Sequence, residues 1–424
     1  LMVNIDPSVI EGEVRAPPSK SLAVRFLLAS LFSEEIVTGL PEGGKGLASD
    51  VQVALEAILR LGVSIQWRKG ALHLCPPTSF PSFVEINAGG SASLLRMLAP
   101  MLAAAGVSAC LKGDASLSRR PITSLVRSLQ AAGVNVRHNN YALPMEISGT
   151  MRKGDLVVFG GESSQQVTGF ILAAALRGGG QVRIMDLPSR SYVELTRWAL
   201  SQVGINVERS GESLSVGPPR AGRFAVEVGG DYLISSFYAS ASLLTKGKVK
   251  IAGLYPQLNF FGDHSVVGVF SRLGARSEFS EGTWAVSGWE RDTRGEALNV
   301  DFNSSPDMAL SLSPLLAVRG GEMKGTSRLS LKESDRKRGI AEAFASMGLR
   351  VKIGYDSISF EGGRPKKGVF DPRGDHRLAM MASSVMAMSG GKLLDGYCVS
   401  KSDPDYWNSY ALLGGKIRWE RDLS

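Results

Sequence analysis

Residues 61–74 read Leu61-Gly62-Val63-Ser64-Ile65-Gln66-Trp67-Arg68-Lys69-Gly70-Ala71-Leu72-His73-Leu74. An amphipathic helix ends here in a glycine, the residue best suited to the positive φ of a helix C-terminus. The chain leaves it in an alternating segment, a turn at Lys69-Gly70 and a second strand-like segment. The same junction recurs at Ala132-Gly133-Val134, Val203-Gly204-Ile205, Leu273-Gly274-Ala275, Met347-Gly348-Leu349 and Leu413-Gly414-Gly415. Successive glycines lie 71, 71, 70, 74 and 66 residues apart, so six units of similar length account for the whole chain.

Each unit also opens a second helix with short polar residues. These starts are Ser19-Lys20-Ser21, Ser91-Ala92-Ser93, Ser163-Ser164-Gln165, Ser235-Ser236, Ser304-Ser305-Pro306-Asp307 and Gly374-Asp375-His376-Arg377. The helices after them are apolar nearly all round, which predicts burial. A unit therefore reads helix, strand, loop, helix, strand, strand. It is too large for a solenoid repeat, and six of them predict two compact α/β domains of three units each. Buried helices running side by side would bring their polar N-termini to one face of each domain. A pair of such faces makes a cleft suited to anions, with Lys20, Arg25, Arg96, Arg336 and Arg377 at or near the helix starts.

The densest polar stretch is Ser330-Leu-Lys-Glu-Ser-Asp-Arg-Lys-Arg-Gly339. Leu329 and Leu331 predict a short extended piece, Ser334 or Asp335 can cap a helix, and Ile340, Phe344 and Met347 form the apolar stripe of that helix. Lys332 and Arg336 would strengthen an anion-attracting helix start. Glu333, a carboxylate among cations, is a candidate for proton transfer. A solvated helix start with ordinary surface ion pairs remains open from this stretch alone.

Composition narrows the function classes. The chain has 424 residues, 44% hydrophobic content, a formal charge of +8 and a pI near 9.4. That charge suits acidic small molecules or nucleic acid, but there is no long Lys/Arg block and no basic stripe interleaved with aromatics, so nucleic-acid binding is not expected. No apolar run is long enough to span a membrane, and a signal-peptide layout is absent, so a soluble cytoplasmic chain is expected. Cys75, Cys110 and Cys398 are scattered, as are His73, His138, His264 and His376, so neither a disulfide framework nor a metal site is predicted. Gly39-Leu-Pro-Glu-Gly-Gly44-Lys45-Gly46 approaches a phosphate-binding loop, but Gly46 stands where a hydroxyl should hold magnesium, and the segment is read as a turn.

Taken together, the motifs resemble the 3-phosphoshikimate 1-carboxyvinyltransferase (EPSP synthase) family, in order from about Pro17 to Tyr406. The pieces are Ser19-Lys20-Ser21 with Arg25, Gly89 to Arg96, Gly113-Asp114 with Arg120-Pro121-Ile122, Ser163-Ser164-Gln165, and Ser189 with Tyr192. Pro306-Asp307, Lys332-Glu333-Ser334-Asp335-Arg336, Asp375-His376-Arg377, and Cys398 with Lys401, Pro404 and Tyr406 complete the series.

The resemblance implies two similar domains, each three copies of a βαβαββ unit in an inside-out α/β barrel, with the active site in the interdomain cleft. Residues 18–228 would form one domain, and 1–17 with 229–424 the other. It implies transfer of the enolpyruvyl group of phosphoenolpyruvate to the 5-hydroxyl of shikimate 3-phosphate, by a monomer with no metal or organic cofactor. Ser21, Arg25, Ser163, Ser164, Gln165, Ser189, Tyr192, Asp307 and Lys332 would hold shikimate 3-phosphate. Lys20, Arg120, Arg336, Arg377 and Lys401 would hold phosphoenolpyruvate, with Ser93, Arg96 and His376 among the substrate-binding set. Asp307 would be the base, Glu333 the acid, and Lys20 would support charge on the departing phosphate. Ala92 replaces a glycine usual in the family, at a position that borders the phosphoenolpyruvate pocket and bears on glyphosate sensitivity.

The chain departs from the family pattern at Leu233 and Ile234, where paired serines are common, and at Arg328, where Asn or His is common. Two other readings compete. UDP-N-acetylglucosamine enolpyruvyl transferases usually have Lys-Asn where this chain has Lys20-Ser21, and a reactive cysteine where it has Ala115. A non-catalytic basic nucleic-acid-binding protein on the same repeats would leave Asp307 and Glu333 without a purpose.

Overall fold

The six helix-ending glycines all have positive φ: +90° at Gly62, +86° at Gly133, +74° at Gly204, +90° at Gly274, +74° at Gly348 and +89° at Gly414. A side chain is disfavoured there, which is why the repeat is legible as glycine spacing. The structure, a computed structural model, describes residues 1–40, 46–186, 190–293, 297–298, 300, 302, 305–332 and 334–420. Residues 41–45 of the near phosphate-loop segment, together with Ser189, Ser304 and Glu333, lie outside the described residues.

Among the described residues, six four-stranded sheets share one topology. In the sheet built from Phe83–Asn87, Ser108–Lys112, Asn135–Asn139 and Ala142–Ser148, the first two strands are parallel, joined through helix Ala92–Ala104. The fourth strand pairs antiparallel with the second, and the third closes the edge as a hairpin. Leu156–Phe159 and Gly180–Met185 begin the next copy in the same way, through helix Ser164–Leu176. Among the described residues, three sheets borrow strands from far along the chain, one of them by pairing Gly12–Arg15 parallel with Lys248–Ala252. Arg223–Val226 pairs parallel with Glu35–Thr38, and the N-terminal Met2–Asp6 inserts between Gly391–Leu393 and Lys416–Glu420. The chain divides into one unit of Lys20–Val228 and another of Leu1–Ser19 with Gly229–Ser424.

In each unit the helices that open the repeats form the core. Every residue of Tyr232–Leu244 is buried, as are the first ten of Met308–Arg319 and the first twelve of His376–Ser389. Most serines inside these helices are satisfied by carbonyls, as where Ser240 donates to Ser311 O at 2.5 Å and Ser384 to Phe237 O at 3.1 Å; the Ser242 hydroxyl is the exception. In the other unit, helix Ala92–Ala104 packs on Ser164–Leu176 at Gly169. A Cβ there would lie 2.5 Å from Arg96 O, so the close approach requires glycine.

Two local expectations are corrected. Leu329 and Leu331 belong to a 3-10 turn, Ser327–Leu331, not to an extended piece, because Leu329 N donates locally to Thr326 O at 3.1 Å. Ser235-Ser236 does not open its helix. Asp231 does, its carboxylate accepting from Leu233 N and Ile234 N at 2.9 and 3.0 Å, which places the serines in the second turn.

Candidate active site

In unit Gly229–Ser424 the polar helix starts converge on carboxylates. Asp307 precedes helix Met308–Arg319 and makes no side-chain cap bond to it; its oxygens face cations instead. Arg336 Nη1 donates to Asp307 Oδ1 at 2.6 Å, Arg377 Nε lies 3.2 Å from Oδ2, and Lys332 Nζ lies 3.4 Å from Oδ1. Arg336 is the first residue of helix Arg336–Ser346 and is almost fully buried, with Asp335 as the cap accepting from Arg338 N. Its remaining edge forms a fork on Asp375, Nε to Oδ2 at 2.8 Å and Nη2 to Oδ1 at 3.2 Å. Asp375 also caps helix His376–Ser389, accepting from Arg377 N at 3.0 Å and Leu378 N at 3.4 Å, and takes a bond from Ser334 Oγ at 2.8 Å. Arg336 and Asp375 thus lock the starts of two helices together, and Arg336 and Arg377 together tie them to the Asp307 turn. His376 and Arg377 are buried at the same helix start, and Lys401 ends the 3-10 turn Tyr397–Lys401.

Unit Lys20–Val228 carries the other group. Lys20 begins helix Lys20–Ala29, and its Nζ is 3.1 Å from Asp50 Oδ2. Arg25, one turn on, is buried and joins three helices: it donates to Ser21 O at 2.6 Å, Thr168 Oγ1 at 3.4 Å, Tyr192 O at 3.2 Å and Thr196 Oγ1 at 3.0 Å. Ser163 caps helix Ser164–Leu176 by accepting from Gln165 N at 3.2 Å, and Ser164 is buried beside it. The Gln165 amide is oriented at both ends: Arg96 donates to its Oε1 at 3.0 Å, and its Nε2 donates to Ser93 Oγ at 2.7 Å. Arg96 also donates to Pro121 O at 2.8 Å, holding the loop that carries Arg120.

Burial, and then the charge of Arg120, push the Arg96 guanidinium down to about 9. Nε of Arg96 and Nε of Arg120 are both buried without a hydrogen-bond partner. Neighbouring like charges with unsatisfied donors favour an anion. Ala92 is the first residue of helix Ala92–Ala104 and is buried, behind Ser91, which caps Leu94 N at 3.3 Å.

Sequence reasoning missed several partners. Asp50 and Thr196 touch Lys20 and Arg25 but sit in no polar motif. Asp263 is buried with Ser305 Oγ donating to it, and its carboxyl is pushed up to about 7 by burial, with Asp231 and Asp307 adding to the rise and the Ser305 bond and Arg377 opposing it. Leu233 and Ile234 are buried in the core, so the serines common in the family are replaced where the side chain faces apolar neighbours.

The family model of EPSP synthase (3-phosphoshikimate 1-carboxyvinyltransferase) matches residues 5–410. The chain is 35% identical to the 3-phosphoshikimate 1-carboxyvinyltransferase of Saccharolobus solfataricus over 99% of this chain and 100% of that one. It is 34% identical to that of Caldivirga maquilingensis over 98% of this chain and 99% of that one. The fold superposes on EPSP synthase from Acinetobacter baumannii with a TM-score of 0.73 at 20% identity, covering 99% of this chain and 100% of that chain. That structure has the two-domain inside-out α/β fold that the six sheets repeat. The chain belongs to the EPSP synthase family, that of the 3-phosphoshikimate 1-carboxyvinyltransferases.

Proposed function

We propose that this chain transfers the enolpyruvyl group of phosphoenolpyruvate to the 5-hydroxyl of shikimate 3-phosphate, releasing inorganic phosphate. The observation that carries the reading is Asp307, a carboxylate held by Lys332, Arg336 and Arg377 at a helix start, in a chain matched to the family along its length. Both substrates carry a phosphate and a carboxylate, which suits cations at helix N-termini. Ser21, Arg25, Ser163, Ser164, Gln165, Ser189, Tyr192, Asp307 and Lys332 bind shikimate 3-phosphate. Lys20, Arg120, Arg336, Arg377 and Lys401 bind phosphoenolpyruvate. Gln165 lies between the two sets, and Arg96 and Ser93 support it by orienting its amide.

Asp307 accepts the proton of the attacking hydroxyl as its oxygen bonds to the central carbon of phosphoenolpyruvate. Glu333 delivers a proton to the methylene, making a methyl group, and takes one back as the carbon–oxygen bond to phosphate breaks. Lys20 offsets charge on the departing phosphate. The enzyme works as a cytoplasmic monomer; no described helix is long and apolar enough to cross a membrane.

Phosphate release from phosphoenolpyruvate tests the reading. It should depend on shikimate 3-phosphate and not occur with UDP-N-acetylglucosamine. Release that depends on the UDP-sugar alone, or salt-sensitive binding to bulk DNA with no turnover, would replace this function with one of the rival readings.

A further inference from the structure

We infer that Asp263 is a positioning residue for the transfer, acting through Ser305 to hold the turn that presents Asp307. The inference rests on the role proposed above for Asp307. Asp263 lies in the 3-10 turn Gly262–Ser265, 44 residues before Asp307 and outside every motif of the family resemblance. It is buried, and Ser305, also buried, donates its hydroxyl to it. Ser305 O accepts from Met308 N at 3.1 Å, so the residue bonded to Asp263 also closes the first turn of helix Met308–Arg319. Pro306 is next, with its φ set by the ring, and then Asp307.

Asp307 makes no capping bond to its own helix, so its carboxylate is not located by local helix geometry. What locates it is the Ser305-Pro306 turn on one side and three cations on the other. The part of Asp263 that this reading uses is its acceptor oxygen, which holds the Ser305 hydroxyl.

The test compares Ser305→Ala, Asp263→Ala, Asp263→Asn and Asp307→Ala in the full chain, assayed by phosphate release with both substrates varied. Ser305→Ala removes a single hydroxyl, so a folded variant is available even if Asp263→Ala misfolds; folding is checked by circular dichroism. The expected result is kcat lowered by roughly 10- to 100-fold in Ser305→Ala and Asp263→Ala, with each KM within about 3-fold of the parent. Asp263→Asn, which keeps an acceptor for Ser305, should recover most of the loss. Adding Asp263→Ala to Asp307→Ala should cost nothing further, because the positioned group is already gone.

A parent-like kcat in folded Ser305→Ala and Asp263→Ala, with only the melting temperature lowered, would overturn the inference while leaving Asp307 in its role. Independent, multiplicative losses in the double variant would do the same. Parent-like turnover in Asp307→Ala would overturn the proposed role of Asp307, and this inference with it.

Discussion

Glu333 and Ala92 are the two residues at which the proposed chemistry is most directly tested. Glu333→Ala should lower kcat by roughly 10² to 10⁴ while shikimate 3-phosphate binding changes little, because proton transfer contributes only in the transition state. Equal losses of binding and turnover would remove Glu333 from that role. Ala92 adds one methyl group where the resemblance described above implies a glycine bordering the phosphoenolpyruvate pocket, a pocket that glyphosate is expected to fill in a more extended form than the substrate. The methyl group would be absorbed if the preceding loop could shift back. That loop is pinned, however, by Ser91 N to Ala88 O at 2.8 Å, Asp114 N to Gly89 O at 2.8 Å and Gly89 N to Asn87 Oδ1 at 2.9 Å. Intrusion into a close-packed site costs about 1 to 3 kcal/mol, so glyphosate inhibition should strengthen roughly 5- to 150-fold in Ala92→Gly. Equal inhibition constants, each measured against phosphoenolpyruvate, would show that the methyl group does not reach the inhibitor.

At the scale of the element, Asp375 joins two helix starts. It caps helix His376–Ser389 and neutralises the buried Arg336 that begins helix Arg336–Ser346. Asp375→Ala removes the cap and leaves a buried guanidinium short of a partner, which should destabilise the fold by about 3 to 5 kcal/mol. Asp375→Asn keeps a capping oxygen and loses only the charge, so its cost should be smaller, about 1 to 3 kcal/mol. Urea melts of the two variants check the order; equal costs would mean that the ion pair and not the cap carries the stability. The helix starts themselves were legible as short polar runs before apolar helices. The Ser235-Ser236 start was misplaced because the stronger acceptor, Asp231, stands four residues earlier and caps Leu233 and Ile234 instead.

Across the whole molecule, buried ionisable groups set how stability varies with pH. The carboxyl of Asp403, hydrogen-bonded to Tyr238 Oη at 3.0 Å, is pushed up from 3.8 to about 6 by burial, and that of Asp263 to about 7. Between the ordinary carboxyl range and these values the folded chain binds more protons than the unfolded one, so both groups remove stability as pH rises through that window. His264, stacked on Tyr232 and accepting from Leu258 N at 2.8 Å, is pushed down from 6.5 to about 3 by burial. There the unfolded chain binds the extra proton, so His264 removes stability as pH falls through the range between those two values.

Asp403→Asn should therefore raise stability relative to the parent by on the order of 1 to 3 kcal/mol at about pH 8 and by little at about pH 4. Calorimetric melts at both pH values give the comparison, and an equal increment at each would rule out ionisation of Asp403 as the cause.

Six glycines with positive φ, the caps at Ser91, Ser163, Asp335 and Asp375, and apolar helices without a polar face are local requirements of the backbone. They leave their mark within a few residues, so the repeat, the sheets it builds and the polar helix starts could be read from the sequence alone. Asp263 meeting Ser305, Asp50 meeting Lys20, and Arg25 reaching Thr168, Tyr192 and Thr196 join residues 30 to 171 positions apart. Only the tertiary structure decided those, because a buried polar group takes whatever partner the packing brings to it, and nothing near it in the chain records which one that is.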